Sequence, residues 1–274
     1  MTSAPRADTP TLVRQAAEET IGRLQTGYRT HLPASVAAVA RLRREAGRDP
    51  HSTPTSWGVD DLEALTRLRD QAARRAEDDS ADPASYPMVS WREDVQVRED
   101  RAVHLAVTLW ALHQQSLREE PMHVHRWTLG RAARRLAEGR TGTQDRADST
   151  AATHGADPTG AVSGGKPPAA VQDTDLSSSV RTRFVRIGTS TDVETLGVRL
   201  REMVLLLRAA RIPLDYGLLA GQLDRWQQAA FRADVRREWG RGFHRVYAPS
   251  APDAEATPDS PAEGSDPVAS DLDE

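Results

Sequence analysis

The histidines are the residues of this chain whose type and spacing could most directly hold a metal ion. His123 and His125 form the one close pair in the sequence, and His104 and His113 fall on a predicted long helix. A protein metal site needs three or more converging ligands. However, residues two apart on a helix point away from each other, and the sequence contains no H-E-x-x-H pattern. We therefore interpret these histidines as structural, and we predict no metal site and no cofactor.

Other catalytic patterns are also absent from the sequence. The chain has no cysteine, which excludes a disulfide scaffold, a thiolate metal site and a cysteine nucleophile. It has no glycine-rich phosphate loop, no G-x-S-x-G elbow and no deaminase signature. We predict that the protein is not an enzyme and that it has no catalytic residue.

The arginines are better organised, and the chemistry that they could perform is phosphate binding. Of the 36 basic residues, all but Lys166 are arginine, whose planar guanidinium group can form paired hydrogen bonds with phosphate. The chain has 40 acidic residues and a net charge of −4, but eight of these acids lie in residues 248–274, which contain no Lys or Arg. Residues 1–247 therefore hold 36 basic and 32 acidic residues, a net charge of +4.

Three predicted helices each carry a cluster of arginines. With about 100° of rotation per residue, the second and third clusters avoid the apolar residues of their helices, and few acidic residues surround them. Unpaired like charges repel each other, so such a face favours an anionic partner. No aromatic residues are interleaved with the arginines in a base-stacking pattern, which argues against base-specific recognition. The clusters are Arg41, Arg43 and Arg44; Arg131, Arg134 and Arg135, opposite Ala132, Ala133 and Leu136; and Arg181, Arg183 and Arg186, away from Val180, Phe184 and Ile187.

A fourth set of arginines, on the last predicted helix, has a different interpretation. Arg237, Arg241 and Arg245 form a row at intervals of four residues, and Asp234 and Glu238 stand three residues before the first two. Residues at this spacing can form ion pairs on a helix surface. We expect a solvated, ion-paired face here rather than a binding site.

These side chains are positioned by a fold that the sequence predicts to be all-α, a helical bundle. Apolar residues recur at helical spacing, and no β-alternating run bounded by turn residues occurs. The helix at 95–116 is apolar on both sides, so we expect it to be central and buried almost all round. Thr191 and Glu194 form a predicted capping box. The predicted helices are 11–28, 33–46, 59–76, 95–116, 128–138, 177–187, a long helix that begins at Thr191 and that Pro213 ends, 215–227 and 231–246.

Two segments are predicted to be disordered. Residues 139–175 contain 17 Gly, Pro, Ser or Thr among 37 and only two bulky aliphatic residues, which is too little apolar surface to offset the entropy of ordering. The acidic tail has the same character. We divide the chain into an N-terminal helical part (1–138), a disordered insert (139–176), a C-terminal helical part (177–247) and a disordered acidic tail (248–274).

The sequence also gives an expectation for the location of the protein. No apolar run approaches the length of about 18 residues that a transmembrane helix needs. Residues 1–10 are polar and lack the apolar centre of a secretory signal. We expect a cytoplasmic protein that does not contact a membrane.

Six short motifs, taken in their order and spacing, carry a family resemblance. They are LAVTLWALHQQS at 105–116, MH at 122–123, LGRA at 129–132, IPLDY at 212–216, WQ at 226–227 and VRREWGR at 235–241. Together they closely resemble the CasB family, the small subunit of Cascade, which is the type I-E CRISPR surveillance complex. The resemblance covers residues 95–247 apart from the insert, with a looser fit over 11–46, and the acidic tail is extra to it.

The resemblance implies an all-helical, non-catalytic subunit that forms a homodimer within the complex and contacts other Cascade subunits. It would bind crRNA-paired target DNA and the displaced DNA strand through their backbones, independently of sequence, and so stabilise the R-loop in antiviral defence. Pattern and resemblance together predict the nucleic-acid-binding residues Arg41, Arg43, Arg44, Arg131, Arg134, Arg181, Arg183 and Arg186.

Two alternatives stay open. One is a helical adaptor that binds only proteins and uses its arginines for solubility and ion pairs; salt-dependent retardation of single-stranded nucleic acid would discriminate against it. The other is a helical hydrolase or metalloenzyme that uses His123 and His125. Metal analysis of the purified protein would decide the second case.

Overall fold

The computed structural model describes residues 11–51, 61–79, 89–142 and 170–245, and these residues have the predicted all-α fold. Residues 143–169 of the predicted insert and the whole predicted tail lie outside the described residues. The disorder of these segments and the division of the chain into four parts therefore stay predictions. Within the described residues the helices are α1 (Leu12–Arg29), α2 (Pro33–Glu45), α3 (Glu63–Asp79), α4 (Val89–Gln114), α5 (Leu129–Ala137), α6 (Ala170–Gly188), α7 (Val193–Ala209), α8 (Tyr216–Gln227) and α9 (Ala229–His244).

Local capping chemistry explains where several helices begin. The side chains of Thr11, Thr128 and Asp215 each accept a hydrogen bond from the amide three residues later. Each cap satisfies one of the first-turn amides that have no partner within the helix. Pro33 occupies the first turn of α2, where its missing N–H group costs nothing. These starts agree with the sequence prediction to within one residue.

The predicted cap of α7 is wrong by one residue. Asp192, not Thr191, caps this helix, because its carboxylate accepts a hydrogen bond of 2.7 Å from the amide of Thr195. The hydroxyl groups of Thr191 and Thr195 donate to the same carboxylate. An ionised carboxylate is a stronger acceptor than a hydroxyl group. These hydrogen bonds, the backbone one first, lower the pKa of Asp192 to about 2.

Two helices begin earlier than the sequence pattern indicated. α4 starts at Val89 instead of residue 95, and α6 starts at Ala170 instead of residue 177. The prediction rested on apolar residues at helical spacing, and the additional residues at these two starts are mostly polar. The start of α6 therefore falls inside the segment that was predicted to be a disordered insert.

The central position of α4 confirms the prediction from its two apolar sides. Every residue from 102 to 112 is at most 8% exposed, and the helix packs against α1, α2, α7 and α8. His104 lies on this buried stretch, where its Nδ1 atom is 2.6 Å from Oδ2 of the buried Asp61. The helix therefore forms the axis around which the other helices pack.

Backbone hydrogen bonds join the α4–α5 connection to the α7–α8 connection. The amide of Leu214 donates to the carbonyl of Met122 at 3.0 Å, and the amide of Val124 donates to the carbonyl of Leu214 at 3.3 Å. The amide of Asp215 donates to the carbonyl of Trp127 at 2.7 Å. We call these three hydrogen bonds the loop clamp. The clamp brings together two motifs that lie far apart in the sequence.

Two glutamine side chains support the loop clamp. Gln25 on α1 accepts a hydrogen bond from the amide of His123 at 2.9 Å and donates to its carbonyl at 3.2 Å. Gln114, at the end of α4, accepts from the amide of Met122 and donates to the carbonyl of Glu120, each at 2.9 Å. Buried backbone groups without partners are costly. The glutamines therefore let an irregular connection pass through the interior.

The second close approach in the fold is between α5 and α9. Gly130 on α5 faces Gly242 on α9, and a Cβ atom on Gly130 would overlap backbone atoms of Trp239 and Phe243. Trp239 itself is buried, and its indole N–H donates to Oε1 of Gln222 at 2.8 Å. The absence of a side chain at residue 130 therefore sets the distance between these two helices.

We expect Gly130→Ala to lower the free energy of unfolding by about 1–3 kcal/mol, because backbone atoms of α9 cannot move aside as a side chain could. Gly22→Ala is the matched control. Gly22 lies within α1, and an added Cβ there would meet nothing within 4 Å, so the change should stabilise by up to about 1 kcal/mol through helix propensity. Denaturant unfolding of both variants measures this difference. Equal stabilities would contradict the close contact.

Candidate nucleic-acid interface

The arginines of α6 lie where the sequence placed them, away from the apolar side of their helix. Val180 and Ile187 are fully buried, whereas Arg181 and Arg186 are exposed. Arg183 is half-buried, and its guanidinium group donates to Oγ of Ser179 one turn earlier. Among the described residues, no carboxylate forms an ion pair with any of these three arginines. Within the described part of the chain, this part of α6 therefore carries positive charge that no carboxylate pairs with.

Three further arginines extend this positive surface, and the sequence pattern did not reveal them. Arg199 donates to Oγ of Ser190 at 3.1 Å, Arg236 donates to the carbonyl of Ser190 at 2.9 Å, and Arg232 donates to the carbonyl of Thr191 at 3.1 Å. They come from α7 and α9 and converge on the turn that follows α6. We call the six residues together the α6–α9 surface: Arg181, Arg183, Arg186, Arg199, Arg232 and Arg236.

An apolar cavity of about 280 Å³ opens within this surface, between α6 and α9. Its lining includes Phe184 and Phe243, whose rings stack with their centroids 4.9 Å apart. Val185 at its edge is 56% exposed. Arg181 and Arg236 line the same cavity, so an apolar recess lies among guanidinium groups.

The predicted exposed arginine face of α5 is wrong. Arg131 and Arg135 are only 8% and 5% exposed, and the guanidinium group of Arg131 lies 4.0 Å from the centre of the Trp127 ring. Arg134 is half-buried and forms an ion pair of 2.7 Å with Glu138. The reason is that α5 packs against α6, α7 and α9 at once, so the helix has little free side. α5 and α6 do lie against each other, but only α6 exposes its arginines.

The N-terminal cluster lies on α2. Arg41 and Arg44 are exposed, and Arg43 is half-buried. α7 connects this helix to the α6–α9 surface, because Arg201 on α7 donates to the carbonyl of Ala46 at 2.7 Å, just after α2 ends. The geometry predicted for Arg41, Arg43 and Arg44 is thus compatible with an accessible basic patch.

The ion pairs of the last helix follow the prediction in part. Asp234 and Arg237 form the predicted pair. The predicted pair of Glu238 with Arg241 is wrong, because Glu238 forms an ion pair of 2.6 Å with Arg225 on α8. The neighbouring helix supplies a partner that a single-helix pattern could not reveal.

His123 and His125 lie on the α4–α5 connection and not on a helix, and they approach Asp215. The potential ligand atoms of these three residues lie within 4.8 Å of one another. However, Nδ1 of His123 already accepts a hydrogen bond of 3.1 Å from the amide of Tyr216. The neutral ring therefore carries its proton on Nε2, whereas a metal-binding imidazole uses one nitrogen as ligand and the other as donor.

The carboxylate of Asp215 is also engaged by the fold. One of its oxygens accepts from the amide of Leu218 at 2.9 Å and the other accepts from the amide of Arg126 at 2.8 Å. These hydrogen bonds cap α8 and hold the loop clamp. The carboxylate of Asp215 therefore has a structural role in the fold.

His113 is a second structural histidine, fully buried at the end of α4. The hydroxyl group of Tyr216 lies 2.8 Å from its Nδ1 atom. Burial lowers the pKa of His113 to about 3, and the nearby guanidinium group of Arg208 acts in the same direction. Burial also raises the pKa of Tyr216. Both side chains are therefore neutral in the folded protein at neutral pH.

The depressed pKa of His113 predicts that stability falls in mild acid. Below the ordinary histidine pKa of about 6.5, the unfolded chain binds a proton at this residue, whereas folded His113 stays neutral. Lowering the pH to about 5 should therefore reduce the free energy of unfolding by about 2 kcal/mol. His113→Asn keeps an acceptor for Tyr216 but cannot titrate. We expect the variant to be less stable than the parent near pH 7.5 but to lose about 2 kcal/mol less on acidification. Parallel curves of unfolding free energy against pH would contradict this assignment.

Comparison with known proteins agrees with the fold and the motifs. The family model of the CRISPR-associated protein Cse2 matches residues 38–244. The crystal structure of CasB from Thermobifida fusca is similar, with 31% sequence identity and a TM-score of 0.58; the match covers 86% of this chain and 100% of that chain. No curated protein matches the chain. Among the described helices, none combines the length and apolar composition needed to cross a bilayer. The match over most of the chain confirms the family that the motifs indicated, and this protein belongs to the Cse2 (CasB) family of CRISPR-associated proteins.

Proposed function

We propose that this protein is a non-catalytic small subunit of a type I-E CRISPR Cascade complex and that its exposed arginines hold nucleic-acid backbones. The strands would be the crRNA-paired target strand and the displaced DNA strand of the R-loop. Family membership supports the assembly. The observation that carries the binding role is α6, where Arg181 and Arg186 are exposed beside the buried Val180 and Ile187.

The physical requirement of this role is modest. An R-loop exchanges one duplex for another of similar stability, so contacts to the strand backbones can shift the balance. Phosphate contacts position a strand without reading its sequence, and the guide RNA supplies the specificity. A guanidinium group has five N–H donors, so an arginine such as Arg236 that donates to one carbonyl of its own chain keeps further donors for a phosphate.

The exposure of the arginines in the structure decides which of the predicted residues are the main candidates for contact with nucleic acid. The exposed residues Arg181 and Arg186, together with Arg41 and Arg44, are the main candidates. Smaller contributions are proposed for the residues that are at least partly buried, which are Arg43, Arg131, Arg134 and Arg183. Arg199, Arg232 and Arg236 join the binding surface.

We also propose a homodimer and contacts with other Cascade subunits in the cytoplasm, for which family membership is the support.

One observation favours a protein-only adaptor as the second candidate function. Val198 and Leu205 are seven residues apart on α7, share one side of the helix, and are 54% and 41% exposed. Exposed apolar residues of this kind suit contact with another protein.

The binding role predicts a specific loss in the triple variant Arg181→Ala, Arg183→Ala, Arg186→Ala. These side chains lie away from the core, so the fold should survive. The affinity for mixed-sequence single strands should fall equally for unrelated sequences, and the slope of log K against log salt should shrink by roughly 0.7 per lost contact. Within the assembled complex, we expect a less stable R-loop with unchanged guide pairing rules.

The control removes the same charge from another surface. The triple variant Arg67→Ala, Arg74→Ala, Arg75→Ala changes three exposed arginines of α3 and should keep the parent's affinity and salt slope. If both triple variants bind like the parent, the α6 arginines form only a solvated face. The protein-only adaptor would then be the better interpretation.

A further inference from the structure

The acidic C-terminal segment has the chemistry of a ligand for the α6–α9 surface. We propose that residues 246–274 dock on the α6–α9 surface of their own chain and compete there with nucleic acid. The docking is argued from charge, position and the cavity between α6 and α9. The competition rests in addition on the proposed function, because it requires that the same arginines bind strands.

Charge complementarity is the first support. Residues 248–274 contain eight carboxylates and no Lys or Arg. A carboxylate engages a guanidinium group by the same paired hydrogen bonds as a phosphate. The three arginines of α6 have no ion pair with a described carboxylate. A run of spaced acids can therefore occupy the positions that strand phosphates would take.

Position is the second support. α9 ends at His244, and His244 lines the cavity together with Arg181 and Arg236. The chain therefore continues into the acidic segment from the rim of the basic surface. Asp253, the first acid, comes eight residues after Arg245, a reach of at most about 28 Å. Arg181 and Arg186 are only about 8 Å apart along their helix, so the segment is long enough to follow them.

The apolar cavity is the third support. The segment opens with Val246 and Tyr247 before its first acid. A closed cavity of about 150 Å³ holds a benzene ring, so the cavity of about 280 Å³ beside Val185 can hold the ring of Tyr247. An apolar anchor followed by acids suits this surface, where guanidinium groups surround an apolar recess.

The segment lies beyond the part of the chain that the family model matches, because that match ends at residue 244. The arginines of the α6–α9 surface lie inside the matched part. The chain thus combines a family surface with a segment outside the family match that can cover it. Since both are on one chain, the effective concentration is in the millimolar range, and even weak ion pairs can hold the segment in place.

Competition between the acidic segment and nucleic acid should lower the affinity for strands by a measurable factor. If the segment covers the surface in 80–90% of molecules, the affinity for strands falls by about fivefold to tenfold. Replacing the eight acids by Asn and Gln in the full chain should restore that factor near 50 mM salt. The gain should disappear as salt screens the ion pairs, with a Debye length of about 10 Å at 0.1 M. In the α6 triple variant, which keeps only three arginines of the surface, neutralising the segment should have a smaller effect on strand binding than in the parent.

Docking is tested without any nucleic acid by spin-label distances in the full chain. Because the chain has no cysteine, Thr182→Cys on α6 and Ser260→Cys in the segment can carry the two labels. We expect a short, narrow distance population that neutral side chains in the segment, high salt or Val185→Glu at the cavity edge each remove. Val198→Glu is the matched control, because Val198 is similarly exposed but lies on α7, and it should keep the population.

The outcomes separate the two proposals. A distance distribution that is the same with acidic and neutral segments, or that responds equally to Val185→Glu and Val198→Glu, would overturn the docking even if strands bind as proposed. If single strands bind, but Val185→Glu weakens only their binding, nucleic acid is the occupant of the cavity and the inference is wrong. A salt-sensitive short population with no strand binding would support the docking and refute the proposed function instead.

Discussion

The loop clamp is the constraint on which the rest of the structure depends. It fixes the path of the chain between α4 and α5 against the path between α7 and α8 by backbone hydrogen bonds. Polar groups can run through the interior there because Gln25 and Gln114 satisfy the backbone of the connection. His113 and His123 complete the network through Tyr216. His123, which looks like part of a possible site in the sequence, therefore has a structural role here.

The position of the proposed binding surface follows from where the clamp places the helices. α5 starts just after the clamp and meets α9 at Gly130 and Gly242, and α6 packs on α5 and α7. The turn after α6 is then close enough to receive hydrogen bonds from Arg199, Arg232 and Arg236. The positive surface is therefore a tertiary feature, assembled from three helices, with an apolar recess at its centre and an acidic segment attached to its rim.

The sequence predicted those parts that depend on one helix and its local chemistry. The all-α class, the buried α4 and the exposed side of α6 follow from apolar spacing, and the starts of α1, α5 and α8 were predicted to within one residue. A single-helix pattern failed for Arg131 and Arg135 because three helices surround α5. It also missed Arg236, whose neighbours are far away in the sequence, and it assigned Glu238 to the wrong arginine. Such outcomes depend on packing between helices, which residue spacing does not encode.

In the proposed function, the exposed arginines of the α6–α9 surface contact nucleic-acid backbones more than the buried α5 arginines do, and the histidine cluster does not contact them. The most direct test is photo-crosslinking of the full chain to a mixed-sequence single strand that carries photoreactive bases, with the attachment sites mapped by mass spectrometry. We predict attachment within 181–199 and 229–245, at salt concentrations where the strand is retarded. Attachment concentrated in the connection that contains His123 and His125, or retardation without attachment to α6 or α9, would contradict the claim.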